Sequence, residues 1–251
     1  MTLRTTLGKG AAAAGTAVLL LAAQPAEATI ATFFGNMFTA ATQFDNLVTS
    51  VGGTVTVDTW TTLPSGQTMI DRGPYTISKN NGAAIFPQTY TLYASSPSTP
   101  MSGQSVDISP SSTNVLQSRS GSAMKLVFDD PINGIGFEVG DWATCCQPSR
   151  LYISFDGGTP ILVGESLKFG DQFLTNGGAG VFVGAIDDSG TFTTVEFWGD
   201  GAGEYLVAGG ALRYALVGEG SLPPVGVPAP APLGLLAVGL LGLALVRSRR
   251  G

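Results

Sequence analysis

The chain has 251 residues, 44% of them hydrophobic and only 12% charged, with 35 glycines, 15 prolines, 2 cysteines and no histidine. The missing imidazole excludes a Ser-His-Asp triad, a Cys-His pair and every histidine metal site, and the glycine content with little charge favours strands and turns over helices. Its 12 basic and 18 acidic side chains leave a formal charge of −6, which is unsuited to phosphate backbones, so nucleic acid is not expected as a partner.

The N-terminal segment places Arg4 and Lys9 ahead of an apolar run over residues 11–23, then Pro25 and the small-residue pattern Ala26-Glu27-Ala28. This basic, apolar, cleavable order is that of a secretory signal peptide over residues 1–28, cut between Ala28 and Thr29. Phe38, Ala41, Phe44, Leu47, Val48 and Val51 then recur at helical spacing, Thr39 is a candidate N-cap, and Gly52-Gly53 stops the run. From there strands follow one another.

Residues 54–60 alternate, placing Val55 and Val57 on one face, and Leu63-Pro64-Ser65-Gly66 is a turn. Further strands are expected at 75–78, 90–94, 123–128, 135–139, 151–155, 161–163, 181–186, 193–198, 205–207 and 211–217. Asp156-Gly157-Gly158 marks a hairpin, while turns at Asp130-Pro131, Asp187-Asp188-Ser189-Gly190 and Gly199-Asp200-Gly201 divide the rest. Between 95 and 122 the chain is rich in Ser, Pro, Thr and Gly and reads as a long loop, with at most a short strand near 106–108. The body, residues 29–222, therefore reads as all-β, an antiparallel sandwich with one short N-terminal helix.

The C-terminal segment, residues 223–251, carries Val227-Pro228-Ala229-Pro230-Ala231-Pro232, an apolar stretch over 233–246, and Arg247, Arg249 and Arg250 around Ser248. The stretch is short for about 30 Å of hydrocarbon unless Ala229 to Pro232 extend it, and the arginines would be held on the cytoplasmic side. The Pro-x-Pro motif, the span LGLLAVGLLGLAL and the terminal arginines resemble the PEP-CTERM sorting signal of Gram-negative bacteria, over roughly the last tenth of the chain. Ala229 stands where the usual motif has glutamate.

The resemblance implies a transmembrane sorting helix, recognition by an exosortase-like processing enzyme, and delivery to the cell surface or extracellular matrix. The second half (MKLVFDDPINGIGFEVGDW, LYISFDGGTPILVG, GVFVGAIDDSGTFTTVEFWGDG) is similar in outline to the jelly-roll-like sandwich of exported PEP-CTERM proteins and of carbohydrate-binding modules. Where relatives carry acidic Phe-Glu and Asp-Asn pairs suited to calcium, this chain has Trp60-Thr61 and Ala208-Gly209, and no cofactor is expected.

Without both ends the body keeps 7 basic and 17 acidic residues, a charge of −10, which favours a soluble exported domain. Its candidate acids are Asp129, Asp130, Glu138, Asp141, Asp156, Glu165, Asp187, Asp188, Glu196, Asp200 and Glu204. Glu138 and Glu196 have the parity opposite to their apolar neighbours and are expected to face solvent, as ordinary polar residues of a half-buried sheet. Trp142 beside Asp141 is the candidate sugar platform, because an exposed aromatic combines apolar area with a polar edge. Cys145 and Cys146 are adjacent, so the internal disulfide is a vicinal one, set against free thiols or an intermolecular bond.

These readings combine into a non-enzymatic exported protein that meets Sec-type export machinery, signal peptidase and an exosortase-like enzyme. It is a membrane-anchored precursor before processing and has exopolysaccharide as its candidate ligand. The alternatives are a carboxylate-based glycan hydrolase or lyase on the same scaffold, and a purely structural biofilm component.

Overall fold

The structure, a computed structural model, describes residues 28–91, 100–143, 146, 148–168 and 181–224. The expected signal peptide, the sorting motif (Val227, Pro228, Ala229, Pro230, Arg247, Arg249, Arg250) and the apolar stretch 233–246 lie outside them. Among the described residues no helix is long and apolar enough to cross a membrane.

The chain forms β1 (Ile30–Asn36), α1 (Met37–Ser50), β2 (Thr54–Thr59), β3 (Met69–Asp71), β4 (Tyr75–Lys79), β5 (Gln88–Thr91) and β6 (Pro100–Asp107). After a short helix α2 (Val115–Ser120) come β7 (Met124–Ile132), β8 (Gly134–Gly140), β9 (Ser149–Phe155) and β10 (Ile161–Ser166). The last strands are β11 (Val181–Asp187), β12 (Phe192–Gly199) and β13 (Val207–Leu216). One sheet runs β1-β11-β8-β13-β6-β5, with β2 also paired to β13, and the other runs β10-β9-β12-β7-β4-β3. Every strand pairing is antiparallel.

The sheets share one apolar interior to which alternate residues of both contribute, among them Leu126, Ile135, Phe137, Ile153, Val183, Val195 and Phe197. Phe137 of β8 meets Phe197 of β12 edge to face at 4.5 Å across the interface, the arrangement of a β-sandwich. A second apolar cluster lies on the outer face of the first sheet, where Met37, Ala40, Ala41, Phe44 and Val48 of α1 pack on Phe33, Phe182, Ile186 and Ala215. Approach is close here: a Cβ at Gly136 would sit 2.3 Å from the Phe182 ring, so only glycine leaves room for that ring.

Several expectations are corrected. The N-cap of α1 is Asn36, whose side chain accepts from the amides of Phe38 and Thr39, so Thr39 lies inside the helix. Phe38 is 57% exposed because the buried stripe passes through Met37 and Ala40. A strand, β1, precedes the helix where none was expected. Val57 is 49% exposed, since β2 pairs with β13 alone at the margin of its sheet.

The expected 95–122 loop contains the eight-residue β6 and the helix α2. Partners on β5 and β13 satisfy the backbone of β6 despite its weak alternation. Asp130-Pro131 does not break β7, because the β12 ladder shifts register opposite it and β4 has already ended at Tyr75, so the missing proline amide is not needed. The segments expected at 205–207 and 211–217 become one strand, β13, joined through Gly209 and Gly210 with φ of 148° and 70°. The Asp156-Gly157 hairpin forms as expected, with φ of 43° and 74° suited to a tight turn between β9 and β10.

Candidate functional site

Residues of β2 and β13 in one sheet and of β7 in the other line a cleft of about 450 Å³, a size that suits a small ligand or one or two sugar units. Thr56, Pro74, Phe128, Asp130, Pro131 and Tyr214 are among its walls. Tyr214 leans on Phe128 with ring centroids 5.2 Å apart, and Tyr75 backs both, 5.0 Å from Phe128 and 6.0 Å from Tyr214. Tyr214 is half-buried and Asp130 exposed, so an aromatic side chain and a carboxylate both reach solvent there.

The wall is anchored from behind. The buried Tyr75 hydroxyl donates to Asp58 Oδ2 at 2.5 Å and accepts from Trp60 Nε1 at 2.7 Å. Arg72 grips the same carboxylate bidentately, Nε to Oδ2 at 2.9 Å and Nη2 to Oδ1 at 2.7 Å. The latch joins β2 of one sheet to β4 and its turn in the other. Burial acts to raise the Asp58 pKa, but the hydrogen bonds from Arg72 and Tyr75, with the Arg72 charge, hold it below the usual carboxylate value. Burial, aided by the Asp58 charge, pushes the Tyr214 phenol upward, so it stays a neutral donor and acceptor.

Of the residues singled out from sequence, Asp130 lies in this cleft; the others lie elsewhere, and most are engaged. Trp142 is 3% exposed, donates from Nε1 to Ser149 Oγ at 2.8 Å and meets Phe34 edge-on at 5.3 Å. It is packing, not a platform, because the loop after β8 folds inward over the end of the core. Asp141 is half-buried with φ 56°. Glu138 is buried, not solvated: Ser102 donates to it from its amide at 2.7 Å and from its hydroxyl, and the carboxylate lies against Gly210. Glu196 is likewise covered, by Arg119 and by Asn80 Nδ2 at 2.7 Å.

Beneath the Trp142 loop, Glu204 accepts from the Ala143 amide at 2.5 Å and from the Ser149 hydroxyl. Burial pushes its pKa up to about 7, and the charges of Asp141 and Asp200 add to this. Asp200 accepts from the Arg150 amide at 2.7 Å, and burial raises its pKa as well. Asp187 caps its own turn by accepting from the Ser189 amide at 3.0 Å, whereas Asp156 accepts from the Thr193 and Thr194 amides of the neighbouring β12 at 3.0 and 2.7 Å. Cys146 is disulfide-bonded, and Cys145, the one other cysteine of the chain, lies outside the described residues. Among the described residues no three Cys, Asp or Glu side chains converge as metal ligands.

Sequence reasoning missed Tyr75, Tyr214, Asp58 and Arg72 as a group. Only the aromatic pairing across separate strands signals them, and one chain's alternation carries no information about which strands become neighbours.

No family model matches the chain, and no curated protein matches it. Among solved structures it is similar to an exo-β-1,3-galactanase from Phanerochaete chrysosporium determined with galactose, at 13% identity and a TM-score of 0.26. The match covers 56% of this chain and 32% of that one, about a third of the enzyme's length, and so slight a likeness carries neither fold nor activity across.

Proposed function

We propose that this is an exported β-sandwich protein of the cell surface or extracellular matrix, sorted through its PEP-CTERM-like tail, that binds polysaccharide and does not cleave it. The observation that carries the binding reading is the cleft at Tyr214 and Phe128, lined by the half-buried Tyr214 and the exposed Asp130 in a volume that fits a sugar. Its scaffold is a jelly roll: β6-β13-β8-β11 and β7-β12-β9-β10 are the two four-stranded orders of paired Greek keys, with β1 to β5 added at the margins.

The carboxylates support a non-catalytic body. Glu138, Glu196, Asp200 and Glu204 each hold a backbone amide or an arginine in place, whereas paired-acid hydrolysis needs two that face a substrate. The raised pKa of Glu204 is what favours the hydrolase alternative, and its 1% exposure beneath the Trp142 loop is what supports the binding reading over it.

Affinity electrophoresis through neutral and acidic polysaccharide gels tests the binding. Retardation of the protein, lost in Tyr214→Ala while the circular dichroism is unchanged, is the expected result; retardation equal in the variant, or none with any glycan, overturns the reading. Reducing-end release that disappears in Glu204→Gln would install the hydrolase instead. For the sorting, intact mass of the exported form is expected to show a chain that starts at Thr29 and has lost the arginines at 247, 249 and 250; recovery of Arg250 in the extracellular fraction overturns it.

A further inference from the structure

The turn between β11 and β12 contains Asp188, whose side chain is wholly buried. Its two carboxylate oxygens are spent on the two ends of the body. Oδ1 accepts from the Thr29 amide at 2.5 Å, and Oδ2 accepts from the Leu222 amide at 2.7 Å. The backbone repeats the pattern, with the Asp188 amide donating to Thr29 O at 3.2 Å and the Gly220 amide donating to Asp188 O at 3.0 Å. Next to it the Asp187 amide donates to Asn133 O at 2.9 Å, and Asn133 in turn holds Val217 through both its oxygen and its nitrogen.

Among the described residues no lysine or arginine forms an ion pair with Asp188. A buried carboxylate without a countercharge is costly, and two amide donors compensate it only in part. Thr29 is itself buried while Ala28, before it, is exposed, so the chain emerges from the fold at the bond that the small-residue pattern marks for cleavage. Two independent features, a cleavage pattern and a buried anion, thus meet at one nitrogen atom.

We propose that removal of the leader completes this site: the new α-ammonium of Thr29 becomes the buried countercharge of Asp188, so that the body reaches full stability only once it is processed. The proposal rests on cleavage after Ala28. In that step water adds across the Ala28–Thr29 peptide bond under a signal peptidase; the carboxylate leaves with Ala28, and the amine remaining on Thr29 takes up the proton. The N–H that donated to Oδ1 is then one of three N–H groups on a cation, and a neutral hydrogen bond becomes a charge-assisted one. The same carboxylate holds Leu222, so the pair also ties down the exit of the chain toward the C-terminal segment.

Chains running to Gly251 are released from an N-terminal fusion by a protease that leaves no residue, one starting at Thr29 and one at Ala28, each with Asp188 or with Asp188→Asn. Urea midpoints and the rate of α-amine acylation are read for all four. The expected result is an unfolding equilibrium constant about tenfold or more smaller for the Thr29 start than for the Ala28 start, a difference that vanishes in Asp188→Asn. The Thr29 amine is also expected to be acylated more slowly than the Ala28 amine. Equal midpoints with equal acylation rates overturn the proposal, as does a difference that survives Asp188→Asn. If Asp188→Asn does not fold, the acylation contrast between the two starts decides alone. N-terminal sequencing of the exported protein tests the cleavage position separately, so failure of the processing reading is told apart from failure of the ion pair.

Discussion

The two outer faces of the sandwich are covered in different ways. On the first sheet α1 lays Met37, Ala40, Phe44 and Val48 over Phe33, Phe182 and Ala215, with Phe44 5.2 Å from Phe33 and 6.0 Å from Phe182. On the second sheet the short helix α2 contributes one arginine. Arg119 donates from Nε to Glu196 Oε2 at 2.8 Å, from Nη1 to Gly158 O at 3.1 Å and from Nη2 to Ser154 Oγ at 3.0 Å, with its guanidinium 5.2 Å from the Trp198 ring. One cover is held by area and the other by direction. Apolar contact tolerates small displacements and loses free energy in proportion to atoms removed, whereas the polar cover depends on every donor having its acceptor.

The largest expected effect is on the apolar face. Phe44→Ala is expected to lower stability by about 3–5 kcal/mol, since the ring is fully buried between two others, while Phe38→Ala on the same helix is expected to change it by less than about 0.5 kcal/mol. Denaturant midpoints at constant m-value measure both, and comparable losses would break the assignment of the buried stripe.

Arg119→Ala comes next, at about 2 kcal/mol after allowance for the partial exposure of the pair. The variant strands Glu196, whose side chain is 12% exposed, with Asn80 as its remaining donor. The double variant Arg119→Ala with Glu196→Gln is expected to recover part of that loss, because the unpaired charge goes too; a strictly additive double variant would show that the cover is packing alone.

Glu204 carries the polar principle under the Trp142 loop and adds a pH dependence. Its folded pKa of about 7 exceeds the ordinary 4.5, so its contribution is complete below the ordinary value and is lost as pH rises through about 7. The loss at full ionisation is about 3 kcal/mol. Glu204→Gln is expected to flatten the stability profile between those two pH values, and an unchanged profile in urea titrations would sink the assignment. The smallest effect is expected from reduction: Cys146 has only its sequence neighbour to pair with inside the chain, so the closed loop is minimal and the melting temperature is expected to move little. Alkylation of both thiols without reductant would contradict this.

Legibility followed locality. The hairpin at Asp156-Gly157 and the stop of α1 at Gly52-Gly53 rest on backbone conformations that glycine and aspartate accept within a few residues, and they formed where expected. The strands of the second half were readable because β8, β9, β11 and β12 keep apolar residues in register with the interior. Glu138 and Glu196 defeated the same reasoning. Parity places them off the interior, but it does not tell whether the far face meets water, Ser102 or an arginine from a helix distant in sequence. Trp142 was misread for the same reason, as its loop turns inward through the left-handed residues Asp141 and Ala143 and hides the ring on Phe34.

By itself, then, the amino-acid order determined what depends on neighbours along the chain: a mainly β body with the helix α1, the Asp156-Gly157 turn, the missing imidazole chemistry, and the expectation of a leader and a sorting tail. Tertiary structure decided what depends on which strands meet. It brought Tyr75, Phe128 and Tyr214 to one cleft, covered one sheet with apolar area and the other with an arginine, and set Asp188 against both ends of the body. The reason is physical: backbone propensity acts within a few residues, whereas the burial of a carboxylate or a ring is fixed only when segments far apart in sequence exclude water from it together.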